Sequence, residues 1–159
     1  MCKMPQRREV VVFGVDPSAG GIIARRVRYG DAFDAGNTDN WAGFSDTLTL
    51  VSSDGSLADF SPAALLDQDV DTALYAAGMA HDPTDNRIWL VSNLQGGPTY
   101  EITGIDGSEW TVRRLREPVN LTSAANGTFE RVQCVSHSGH TLLIRVTQVD
   151  GYAEVMRVT

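Results

Sequence analysis

Apolar and polar residues alternate with a period of two along much of this chain, the repeat of a half-buried β-strand. Thr47-Leu48-Thr49-Leu50-Val51, Thr99-Tyr100-Glu101-Ile102-Thr103, Glu109-Trp110-Thr111-Val112-Arg113 and Glu154-Val155-Met156-Arg157-Val158 all carry it. Their β-branched and aromatic residues suit a pleated surface. One stretch departs from the pattern. In Ser61-Pro62-Ala63-Ala64-Leu65-Leu66 a capping serine precedes a proline at the first helical position, which predicts one short helix near 61–67. Ala73 to Gly78 fits helix or strand equally, and Gly78 ends it.

The punctuation between strands is regular. Asp-Gly recurs at Asp54-Gly55, Asp106-Gly107 and Asp150-Gly151, each time between strand-like runs, and this dipeptide favours the positive φ of a tight hairpin turn. A second kind of turn precedes each: Asp16-Pro17 to Gly20-Gly21, Asp82-Pro83 to Asn86, and Ser136 to His140. The chain therefore reads as one β domain over 1–159 with hairpin modules at about 9–60, 79–115 and 131–158. The first is stretched by an insertion, 29–46, rich in Gly, Asp and Asn. Loops of that length are more often functional or mobile than idle.

Gly78-Met79-Ala80-His81-Asp82-Pro83-Thr84-Asp85-Asn86-Arg87-Ile88-Trp89-Leu90-Val91 resembles a blade of a β-propeller, and the resemblance is best over 78–115. It implies a four-stranded meander. A ring needs four or more blades of ~40–50 residues, and this chain supplies about three modules. The expected fold is all-β with antiparallel hairpin repeats, arranged as a propeller-like partial ring or as a two-layer sandwich or barrel. The last run, Tyr152 to Val158, is expected to pair with Glu9 to Val15 or to present an edge to another chain.

Composition narrows the partners. Twenty acidic against thirteen basic residues give a net charge of −7, which disfavours a nucleic-acid backbone as ligand. The clusters Arg25, Arg26, Arg28 and Arg113, Arg114, Arg116 read as solvated strand positions. No apolar run approaches the ~18–20 residues of a membrane span. The run Val10 to Val15 is too short and too interrupted for a signal peptide, so cytoplasmic synthesis and free thiols at Cys2 and Cys134 are expected.

Candidate chemistry is sparse. Cys134, His137 and His140 are zinc-compatible residue types at spacings of three, but no fourth ligand stands near them, and Cys134 reads as a buried strand residue. Asp67, Asp69 and Asp71 lack the glycine and glutamate of a calcium loop. His81, Asp82 and Asp85 share one turn, where aspartates bond their own backbone. Gly43-Phe44-Ser45-Asp46-Thr47 fails as a nucleophile elbow, and Gly20-Gly21 lacks the Lys-Ser/Thr of a phosphate loop. The sequence thus points to no enzyme and no cofactor. Trp89 and Trp110 read as core. Trp41, with Asp39 and Phe44 in the polar insertion, is the candidate binding residue, since interfaces favour tryptophan. The expected role is a non-catalytic module docking on protein partners or on itself within a larger assembly, such as the capsid or tail of a phage virion. The alternative is a glycan- or ligand-binding module.

Overall fold

The computed structural model describes residues 1–15, 21–28, 45–66, 74–75, 77–92, 97–115, 132–146 and 153–159. Within them the first antiparallel meander is β1 (Cys2–Met4), β2 (Glu9–Val15), β3 (Ile22–Arg28) and β4 (Ser45–Val51). The second is β5 (Gly78–Asp82), β6 (Arg87–Val91), β7 (Thr99–Thr103) and β8 (Glu109–Arg114). A parallel pairing of β4 with β8, Leu50 opposite Trp110, fuses the two into one eight-stranded sheet of order β1-β2-β3-β4-β8-β7-β6-β5. Its edge strands β1 and β5 come side by side, so the sheet curls into a nearly closed barrel. A separate sheet of β9 (Val132–His137), β10 (His140–Val146) and β11 (Ala153–Arg157) has β10 in the middle, and its β9 lies against β5.

The fold is all-β with antiparallel hairpins and a barrel-like sheet, as the alternation predicts. The meander β5–β8 has the strand order expected of a blade. It joins its neighbour edge to edge through β4 and β8, however, so the described residues form a curled sheet and not a propeller ring. The helix α1 (Pro62–Leu66) forms as predicted: Ser61 Oγ accepts from the Ala64 N–H at 3.1 Å.

Three expectations are corrected. Arg26, read as a solvated strand position, is buried and bonds the Ile105 carbonyl. β11 pairs with β10, whereas β2 already has β1 and β3 on its two sides, so the first and last runs do not meet. Asp54-Gly55 does not close a hairpin. The Asp54 carboxylate gathers the hydroxyls of Ser52 and Ser56 and the Ser56 N–H, and Gly55, at φ 81°, leads into a 3₁₀ turn, Ser56–Asp59. The dipeptide supplies positive φ in either setting, and the flanking serines decide which one forms. Asp106-Gly107 does lie in the β7–β8 hairpin, although Gly104 (φ 76°) carries the left-handed geometry there. Asp150-Gly151 lies outside the described residues, between paired strands β10 and β11.

Two apolar cores explain the architecture. The barrel interior holds Val11, Ala24, Leu48, Ile88, Leu90, Tyr100, Ile102, Trp110 and Val112, closed at one end by Phe60 and Ala64. Phe60 packs edge-on against Tyr100, with ring centroids 5.1 Å apart. The second core lies between the sheets, where Ala80, Trp89 and Val91 meet Val132, Leu143 and Met156. β6 is therefore covered on both faces. All five of its residues are buried, which is why it reads as a continuous apolar run and not as an alternation.

Candidate functional site

Trp41, Asp39 and Phe44 lie outside the described residues, as do Asp67, Asp69 and Asp71. Trp89 and Trp110 are fully buried, as core residues should be. Cys134 sits on the face of β9 that packs toward the barrel, and burial, with the charge of Asp82, pushes its thiol up to about 12. His137 and His140 oppose one another across the Ser138-Gly139 turn, and strand alternation puts them on the other face of the sheet. Among the described residues no three His, Cys, Asp or Glu side chains gather as metal ligands. Asp82 accepts the N–H groups of Thr84 and Asp85, the turn bonding expected of it.

The charged clusters that the topology creates are internal. Between the sheets, the Arg87 guanidinium donates to Asp82 at 3.2 Å, to Glu101 at 2.7 Å and to Asp85, and it stacks on Trp89 at 4.6 Å. Thr141 Oγ1, from the facing sheet, donates to Asp82 at 3.3 Å. Burial alone would raise the Asp82 carboxyl, but hydrogen bonds from Arg87, Thr84 and Asp85, with the Arg87 charge, hold it below the usual carboxylate range. Farther along, Arg145 reaches from β10 to the Ser92 carbonyl at 3.1 Å and to Glu154 at 3.0 Å. These two arginines tie the three-stranded sheet to the barrel. At the barrel end opposite Phe60, Arg26 and Arg7 cap the β7–β8 hairpin: both donate to the Ile105 carbonyl, and Arg7 also binds Glu9 and Asp106.

One open cleft, about 720 Å³, is lined by Asp54, Ser56, Asp59, Arg113, Arg114 and Leu115. Arg114 donates to Asp59 at 3.2 Å, Tyr100 Oη donates to the same carboxylate at 2.7 Å, and Arg113 donates to Glu101 at 2.6 Å.

The surface feature that sequence reasoning missed is the outer face of the three-stranded sheet. β10 is turned inside out relative to its hydropathy. Thr141, Leu143 and Arg145 are buried toward the barrel, while Leu142, Ile144 and Val146 face away and stay half-exposed. Their cross-strand neighbours include Val135, 41% exposed, and Val155, 61% exposed. The reason lies across the interface: Asp82 and the Ser92 carbonyl take Thr141 and Arg145 as partners, which fixes the strand's facing. In sequence the signal is only that apolar residues occupy both alternations of Leu142-Leu143-Ile144.

Fold and surface together define an all-β protein with a curled eight-stranded sheet, an attached three-stranded sheet and an outward apolar face on the latter. No family model, curated protein or solved structure matches the chain. Among the described residues no helix is long and apolar enough to cross a membrane.

Proposed function

We propose that this protein is a non-catalytic structural module that docks on another protein through the outer face of the β9–β11 sheet. The supporting observation is the reversed facing of β10, with Leu142, Ile144 and Val146 outward and Thr141 and Arg145 inward. Leaving such a face in water forgoes stabilisation of roughly 25 cal/mol per Å² of apolar surface, which a partner would recover. The net charge of −7 favours a protein over a nucleic-acid partner. Synthesis in a cytoplasm and incorporation into a particle such as a phage virion fit the reading. The test is fractionation of native extract containing the tagged chain. The wild type is expected in a complex of more than twice the chain mass, and the double variant Val135→Asp, Val155→Asp at the mass of the chain alone. A wild type that travels alone contradicts the proposal.

A second reading, a glycan- or ligand-binding module, draws on the cleft lined by Asp54, Asp59, Arg113 and Arg114, whose carboxylates and guanidinium groups suit a polar ligand. A glycan array bound by the wild type and not by Arg114→Ala would support it, and an array that stays blank would count against it.

A further inference from the structure

β11 has β10 on one side and no described strand on the other. Its ladder runs unbroken from Leu142 opposite Arg157 to Val146 opposite Ala153. The edge strand Ala153-Glu154-Val155-Met156-Arg157 holds no proline, no lysine and no bulge, and its two charged residues, Glu154 and Arg157, leave Val155 between them uncharged. The Val158 N–H donates to the Thr141 carbonyl at 2.9 Å, and that bond sets the phase of the ladder. Glu154 and Met156 therefore bond toward β10, and the N–H and C=O groups of Ala153, Val155 and Arg157 point away from it, to the side where no described strand lies.

Resting on the docking role proposed above, we infer that β11 pairs antiparallel with β11 of a second copy of this chain, on a twofold axis at Val155. In that register Val155 opposes Val155 of the copy, Ala153 opposes Arg157 and Glu154 opposes Met156. All the outward backbone groups find partners, about six hydrogen bonds in all, and no like charges face each other. The charge distribution favours a copy of the same chain. On the outer face, Val135, His137, His140, Leu142, Val155 and Arg157 bring no carboxylate, although the chain carries a net charge of −7. Two acidic copies repel one another least through such a face. Because Ile144 opposes Val155 within the sheet, pairing sets Ile144, Val155 and their two copies in one row. The contact is isologous, so it closes as a dimer and does not run on as a fibre. The result is a six-stranded platform whose joined apolar face meets the docking partner.

Light scattering on the purified full chain tests this. The wild type is expected at twice the chain mass. Val155→Glu and Val155→Lys each place like charges at the axis and are expected at the chain mass, and mixing the two in equal amounts is expected to restore the doubled mass. Restoration also shows that both variants fold. In the same background Val155→Cys is expected to oxidise to a covalent dimer, because Cα atoms of a hydrogen-bonded antiparallel pair sit about 5.5 Å apart, within disulfide reach. Ala153→Cys, facing Arg157 of the copy, is not. A wild type at the chain mass at every concentration, or Val155→Cys crosslinking no faster than Ala153→Cys, overturns the pairing. If the purified chain is monomeric while the native complex persists, self-pairing fails and the docking role stands. If both are lost, both fail.

Discussion

Arg87 binds three carboxylates and an indole face at once, and two of those carboxylates, Asp82 and Glu101, are buried. Removing it would leave those charges with too few partners. Arg87→Ala is therefore expected to destabilise by about 3–5 kcal/mol, measured by urea unfolding, whereas Thr141→Val should cost about 1 kcal/mol, since Arg87 still holds Asp82. His81 gives a second residue-scale prediction. Burial first, then the positive charge of Arg7, holds its imidazole below the ordinary 6.5, against smaller opposite pulls from Asp82, Asn86 and Glu9. Its Nε2 is buried and, among the described residues, has no hydrogen-bond partner. A histidine depressed on folding binds its proton more readily in the unfolded chain. Its contribution is thus complete above 6.5 and lost as pH falls from there toward the folded value. Unfolding free energy should drop as pH falls below about 6.5, and His81→Gln should flatten that slope. An equal slope in the variant would contradict this.

Hairpin turns, at the scale of elements, separate what sequence could convey from what it could not. Ser138 and Gly139 connect β9 and β10 with φ of 50° and 77°, so both central residues take the left-handed geometry of a tight two-residue turn. Ser138→Asn is expected to stabilise by a few tenths of a kcal/mol, because asparagine tolerates that geometry better. Gly139→Ala meets open space and should cost about 1 kcal/mol. Gly104→Ala should cost more, since its Cβ would also lie 3.1 Å from the Glu109 carbonyl; thermal melts of the two alanine variants would rank them. Strands, turns and α1 were legible because alternation, Asp-Pro, Ser-Gly and Ser-Pro act within a few residues. β1 was not, since Cys2–Met4 is too short to alternate and becomes a strand through β2. The parallel β4–β8 pairing was hidden too. It joins residues about sixty apart, and no local pattern encodes which edge meets which. The outward face of β10 stayed hidden for a related reason, because its facing is fixed by Asp82 and Ser92 on another element.

At the scale of the whole molecule, β6 is the shared wall. Its Ile88 and Leu90 face the barrel and its Trp89 and Val91 face the second sheet. Trp89→Ala should cost about 3–5 kcal/mol, and both sheets should lose structure together, since the wall they share is weakened. Separate transitions for the two sheets in the wild type would contradict that coupling. The same arrangement commits one face of the β9–β11 sheet to the barrel and turns the other outward, the face proposed to dock. Residue-resolved hydrogen exchange on the protein in its native complex, compared with the chain alone at high dilution, tests this most directly. Added protection is expected at Ala153, Val155 and Arg157, with the amides of β6 unchanged. Protection gained elsewhere, with residues 132–157 exchanging as before, would contradict the account.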